Sequence, residues 1–246
     1  MCIRDSRYLN KALKIAEFLI NNQLRSDGGL NRNFKNGKST INGYAEDYAT
    51  VIHAFISLHE VTLDEKWLLL AKEIMEYTII HFYDSTSGMF FYTSNIDPNL
   101  IARKTEVVDG VISSSNSIIG NNLFKLGHYF YDKKMSKISE QMLNNLKVEI
   151  SKNPLGYSNW LHLMTNFTQP FYEVAVVGDN ANEVSKGLFR NYLPNILISA
   201  SSKDSELPLL EFKYIDGKTL IYVCVDGTCK LPLTDISKAI KSIKRN

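Results

Sequence analysis

Two acidic residues stand where helices begin: Asp47 in Asn42-Gly43-Tyr44-Ala45-Glu46-Asp47-Tyr48, and Asp109 in Asp109-Gly110-Val111-Ile112-Ser113-Ser114-Ser115-Asn116-Ser117. At helical spacing Asp47 shares a face with Val51, Ala54, Leu58 and Val61, so a carboxylate heads an apolar stripe. A carboxylate withdrawn from water is costly unless bonded or paired, which makes Asp47 a candidate functional group. Capping the positive end of its helix is the competing reading. Glu46 falls on the other side with Thr50, His53 and Ser57 and reads as a solvated first-turn acid. The hydroxyl and amide residues after Asp109 gather donors at one spot, which suits a sugar or phosphate. They suit N-capping equally well. If Asp47 and Asp109 face one cleft, they form the acid and base that glycosidic or epimerisation chemistry uses. Both are therefore read as candidate catalytic groups, with Tyr44, Tyr48, His53, Asn116 and Ser117 as candidate ligand contacts. Tyr44, Tyr48, Phe90, Phe91 and Tyr92 could stack on a carbohydrate, although most aromatics in such a chain belong to the core.

Cys224 and Cys229 bracket Val225-Asp226-Gly227-Thr228. Asp-Gly is a strong signal for a tight hairpin, which sets the two cysteines opposite each other, close enough for a disulfide or a redox couple. Two reduced thiols are the preferred reading for an intracellular chain. No second ligand pair accompanies them, and His53, His59 and His128 show no metal-ligand spacing, so neither a metal nor another cofactor is expected.

These residues need elements to hold them. Apolar residues recur at helical spacing over residues 8–24, 44–61 and from Trp67 to Ile79, the last after Asp64 as an N-cap. Gly-containing connections follow the first and third, and 89–92 reads as a short hairpin arm. Helices are predicted again over 115–131, 136–150 and 154–167. A helix, a long aromatic-bearing loop and a second helix recur at roughly sixty residues. Beyond Phe171 the pattern changes: Glu173-Val174-Ala175-Val176-Val177-Gly178 is an apolar strand, 182–192 a helix and 195–200 another strand. That is a βαβ unit, and parallel pairing follows. A strand over 219–223 and a helix over 235–243, capped by Thr234 or Asp235, close the chain.

The 246 residues are 44% hydrophobic and 22% charged, with net charge +2, ordinary for a globular core. That balance gives no case for nucleic acid or an anionic membrane as partner. The basic run Lys238, Lys241, Lys244, Arg245 complements the negative end of the last helix. No apolar stretch nears the ~20 residues of a membrane span. Residues 1–6 contain no signal-peptide core and fit poorly with the helix after them, so residues 1–7, with Cys2, read as a non-native or disordered leader. The expected organisation is helical hairpins over 8–168 and an α/β segment over 171–246, in a cytoplasmic protein.

Taken in order, Gly43-Tyr44-Ala45-Glu46-Asp47-Tyr48-Ala49, the Asp109–Ser117 stretch, Glu173-Val174-Ala175-Val176-Val177-Gly178, Tyr192-Leu193-Pro194-Asn195, and Tyr222-Val223-Cys224 through Cys229-Lys230-Leu231-Pro232 resemble one family, the YyaL-like, spermatogenesis-associated thioredoxin-domain proteins. That resemblance implies an (α/α)6 barrel similar to N-acylglucosamine 2-epimerases and six-hairpin glycosidases. It also implies a thioredoxin-like domain ahead of the barrel, which this chain lacks, and a toroid with too few hairpins here to close. The family usually reads Pro-Ser-Gly-Asn-Ser where this chain has Ser113-Ser114-Ser115-Asn116-Ser117; Asp109, Asn116 and Ser117 still match. The expectation is a mainly α fold, a partial toroid followed by a small α/β segment. The leading functional reading is a sugar-active protein, an epimerase, isomerase or hydrolase binding a carbohydrate or small polar ligand. The alternative is a thiol-redox or chaperone-like protein in which the barrel is a non-catalytic binding platform for the thioredoxin-like domain, with which Cys224 and Cys229 exchange.

Overall fold

The computed structural model describes residues 6–98 and 101–243, which form nine helices and six strands. The protein is mainly α with one four-stranded sheet. Residues 1–5 of the expected leader, Cys2 among them, lie outside the described residues, as do Lys244 and Arg245. The first helix begins at Ser6, within that leader. Two compact units are present, one holding the described residues up to Asn122 with Gln141–Trp160, the other Leu123–Glu140 with the residues from Leu161.

In the first unit α1 (Ser6–Asn22), α2 (Ala45–Thr62) and α3 (Lys66–Phe82) are followed by a two-residue antiparallel ladder, β1 (Tyr83–Asp84) with β2 (Met89–Phe90). Leu63 takes a left-handed conformation (φ 61°) and its N–H closes on the His59 carbonyl, which stops α2. Asp64 Oδ1 accepts from Lys66 N–H at 3.1 Å and starts α3, so the two helices pair as a tight hairpin. Their shared core is aromatic: Tyr48 stacks on Tyr77 at 5.6 Å and touches Phe82 at 4.9 Å, and Phe55 meets Trp67 at 5.4 Å.

The buried face of α2 is Ala45, Tyr48, Ala49, Ile52, Phe55, Ile56, Leu58 and His59. That differs from the expected stripe headed by Asp47. Val51 and Val61 are half-buried and Ala54 is exposed; Ala54, Leu58 and Val61 line an apolar groove of about 400 Å³ shared with Leu9 and Ile15 of α1. Because α2 is apolar around most of its circumference, two faces fit the same periodicity and only packing decides between them.

The helix predicted over 136–150 is two: α5 (Lys133–Asn145) and α6 (Lys147–Lys152), broken at Leu146 (φ −107°, ψ 5°). The Asn145 side chain reaches the Ser87 carbonyl at 2.8 Å, and Leu146 turns into the core. The helix predicted over 154–167 likewise opens as a 3₁₀ turn, Pro154–Tyr157, before α7 (Ser158–Thr168). α4 spans Ser115–Tyr129.

The second unit contains the sheet, in the order β4 (Ile196–Ser201), β3 (Tyr172–Val177), β5 (Leu220–Val225), β6 (Thr228–Cys229). β3 and β4 are parallel across the helix α8 (Ala181–Phe189), the βαβ unit read from the sequence. Every residue of β3 is buried, as a central strand covered on both faces requires. At its end Gly178 takes φ 127°, and a Cβ there would sit 2.0 Å from the Lys218 carbonyl, so only glycine fits. The last helix, α9 (Ile236–Ser242), is capped by Asp235, whose side chain accepts from Lys238 N–H at 2.8 Å.

Candidate functional site

Asp109 is buried, and its carboxyl oxygens meet three donors. Oδ1 accepts from Ser114 N–H at 2.9 Å and Ser117 Oγ–H at 2.7 Å; Oδ2 accepts from Asn159 N–H at 2.8 Å. Asn159 Nδ2 in turn donates to Ser117 Oγ at 3.0 Å. Asn116, fully buried, clamps the backbone of β2: its Oδ1 accepts from Phe90 N–H at 2.8 Å, and its Nδ2 donates to the Phe90 and Glu106 carbonyls, each at 2.9 Å. Asp109, Asn116 and Ser117 thus work as a cluster that fixes the loop entering α4. The 3₁₀ turn before α7 joins it through the Gly156 carbonyl, which accepts from Asp109 N–H at 2.8 Å.

Asp47 lies at the third position of α2 and its Oδ2 accepts from Tyr44 N–H at 2.8 Å, closing the first turn. Burial raises its carboxyl pKa above the usual carboxylate value, against the opposing pull of the Tyr44 N–H and Arg32. Arg32 bridges the two acids of this turn, 3.3 Å from Glu46 Oε1 and 3.8 Å from Asp47 Oδ2, and lies 4.5 Å over the Tyr44 ring. Tyr92 packs on Tyr44 at 5.1 Å, and burial, with Glu46 adding to it, pushes its phenol up to about 12. The result is a partly exposed patch of two acids, one guanidinium and two phenols. Tyr48 is not part of it: its ring is fully buried and its hydroxyl accepts from Leu30 N–H at 2.8 Å, which leaves no face for a ligand. His53 sits on the exposed side of α2.

Cys224 and Cys229 face each other across β5 and β6, joined by a disulfide (S–S 2.05 Å) with Cα atoms 3.9 Å apart. The sequence preference for two reduced thiols is thus not what the structure contains. The register follows from the turn: Asp226 (φ 49°) and Gly227 (φ 75°) both take positive φ, the geometry of the tightest hairpins. Cys224 is buried and Cys229 half-buried. Next to Cys224 in the ladder, on β3, stands Glu173. Its side chain is 1% exposed; Oε1 is 2.6 Å from His128 Nδ1, and Oε2 accepts from Gly227 N–H at 2.9 Å, in the turn between the cysteines. Tyr131, itself at φ 50°, adds a phenol whose pKa burial raises, with Glu173 contributing, and Lys213 is lowered by burial against the attraction of Glu173.

Tyr92 is among the aromatics read as stacking candidates; Arg32, Asn159, His128 and Glu173 are the participants that sequence reasoning did not place at a site. Glu173 had a signal of its own, a lone acid inside an apolar strand. The others join through contacts made across long stretches of chain. Among the described residues no three His, Cys, Asp or Glu cluster as metal ligands, and no helix is long and apolar enough to cross a membrane.

The chain is similar to spermatogenesis-associated protein 20. It is 25% identical to that protein of Homo sapiens and 24% identical to that of Rattus norvegicus, in both cases over 78% of this chain and 26% of the relative. An uncharacterized protein of Caenorhabditis elegans is 23% identical over 95% of this chain and 34% of its own length. The chain therefore spans between a quarter and about a third of the curated relatives it matches. No family model matches it.

Proposed function

We propose that the second unit carries out thiol–disulfide exchange at Cys224–Cys229, as part of a larger cytoplasmic protein whose thioredoxin-like domain is the exchange partner. The observation behind this reading is the hairpin itself. It holds one half-buried cysteine, the end from which a thiolate would approach, and one buried cysteine beside an acid. Attack on a disulfide needs access to the sulfur struck and a leaving thiolate whose charge is accommodated. Similarity to spermatogenesis-associated protein 20 supports a place for the chain near the thioredoxin-domain proteins that its motifs resemble. The test is to incubate the folded chain with glutathione buffers of graded potential and tag free thiols at the peptide level. A Cys224–Cys229 pair that opens and closes reversibly at poises near −200 to −300 mV supports the reading. A pair that remains closed throughout, while the fold persists, refutes it.

A second reading has its own observation. The Arg32, Glu46 and Asp47 cluster flanked by Tyr44 and Tyr92 combines stacking faces with hydrogen-bonding groups, the composition of a carbohydrate subsite on helical hairpins of a partial (α/α)6 toroid. Stabilisation by simple sugars that disappears in Asp47→Asn is its test. Asp109 enters that reading less readily, since both of its oxygens hold the loop.

A further inference from the structure

Glu173 is the one acid in β3, whose other residues Tyr172, Val174, Ala175, Val176 and Val177 are all apolar or aromatic and buried. It is also the ladder partner of Cys224, and Cys224 is the ladder partner of Cys229. Directly opposed residues in an antiparallel ladder project to the same face, with Cβ atoms about 5 Å apart. Glu173, Cys224 and Cys229 therefore form one row on one face of the sheet. The acid is further tied to the hairpin by the bond from Gly227 N–H, and to α4 by His128.

We propose that the Glu173–His128 pair is the proton store for Cys224 during thiol–disulfide exchange. This rests on the exchange reading above and assigns its proton transfers. An external dithiol is the reductant. One of its thiolates attacks Cys229 Sγ, a mixed disulfide forms, the Cys224–Cys229 bond breaks and Cys224 leaves as a thiolate. That thiolate is buried, where an uncompensated charge is costly. The protonated pair, imidazolium beside carboxylate or acid beside imidazole, gives it one proton. The second thiolate of the dithiol then attacks its own sulfur in the mixed disulfide and releases Cys229 as a thiolate, which takes its proton from water. Two electrons and two protons pass from the dithiol to the cysteine pair. His128, whose side chain is 13% exposed, returns the pair's proton from solvent. In the oxidising direction the deprotonated pair takes the Cys224 proton and generates the attacking thiolate. Tyr131 and Lys213 also bear electrostatically on Glu173, and Glu211 on Lys213, so the pH profile senses these groups too.

The experiment follows the Cys224 ¹³Cβ chemical shift, which separates thiol from thiolate without needing reagent access, against pH in the pre-reduced, refolded full chain, with Cys2 and Cys229 assigned apart. Wild type is compared with Glu173→Gln and His128→Gln, and circular dichroism checks the fold. The expected result is a wild-type profile with two inflections, one from the thiol and one from the pair. In each variant the second inflection disappears and the remaining midpoint moves by about one unit or more. A midpoint and shape shared by wild type and a folded variant overturn the proposal, and His128→Gln decides alone if Glu173→Gln does not fold. A disulfide that opens in glutathione with an unaltered profile in the variants removes only the proton store. One that never opens removes the exchange reading, and the Cys224 titration profile still decides the coupling.

Discussion

Replacing Asp109 by Asn separates a carboxylate that builds the loop from one that does chemistry. The acid accepts three hydrogen bonds, two on Oδ1 and one on Oδ2. The amide keeps one acceptor oxygen and puts two N–H donors where the other stood. In the better orientation Ser114 N–H and Ser117 Oγ–H retain a partner while Asn159 N–H meets a donor. Losing one bond to a carboxylate in a buried setting costs roughly 1.5–3 kcal/mol, and weakening the other two adds about another 1 kcal/mol. Asp109→Asn should therefore lower the unfolding free energy by about 3 kcal/mol. The readout is urea unfolding followed by tryptophan fluorescence. Trp160 reports the loop directly, because its indole N–H donates to the Val107 carbonyl at 2.9 Å. A loss below about 0.5 kcal/mol with an unchanged emission spectrum would refute the structural account. If that came together with lost sugar turnover, the carboxylate would belong to catalysis instead.

Two further outcomes follow from groups whose environments are unequal to water. Burial lowers His59 from its usual value near 6.5 to about 4, so the folded protein holds it neutral while the unfolded chain protonates it. The stability this gives is complete above pH ~6.5 and is lost as pH falls towards ~4, on the order of 3 kcal/mol in all. In NMR the His59 imidazole should not titrate above pH 5, and a midpoint near 6.5 would contradict the burial argument. For the Asp47 patch, a thermal-shift panel of simple sugars should raise the melting temperature of wild type and leave Asp47→Asn unmoved. A wild type indifferent to every sugar ends that reading.

What the sequence disclosed was local. The Asp226-Gly227 turn fixes the register of Cys224 on Cys229, and the change from helical spacing to an unbroken apolar run at β3 reveals the βαβ unit. Asp64 and Asp235 announce helix starts that the structure contains. What escaped it depends on partners far along the chain. The break at Leu146 lies inside a pattern that suits one helix, and the Asn145 side chain that accompanies it is bonded 58 residues away at Ser87. Asp109 reads as an acid at a helix start, but its third donor is 50 residues on, at Asn159. Glu173 was visible as an isolated acid, whereas His128, which gives it meaning, is 45 residues earlier on a helix of another pattern. The buried face of α2 is not legible in the sequence because its apolar residues cover more than one face.

The two groups of candidate residues differ in what stability alone explains. The hydrogen bonds of Asp109, Asn116 and Ser117 go to backbone groups, to each other or to the Asn159 side chain, so packing of the loop into α4 is reason enough for those residue types. The hairpin of the second unit is the opposite case. With Asp226 and Gly227 both at positive φ, the turn is already set, and a cross-link spanning five positions removes little freedom from the unfolded chain, because that gain grows with loop length. A buried acid in a central strand is a cost to folding rather than a contribution, and pairing it with a histidine offsets that cost only in part. A strand residue chosen for stability at Glu173 would be apolar like its neighbours. The acid, the histidine and the disulfide exceed what the fold requires, and they lie together, as the proposed proton-coupled exchange at sulfur would need.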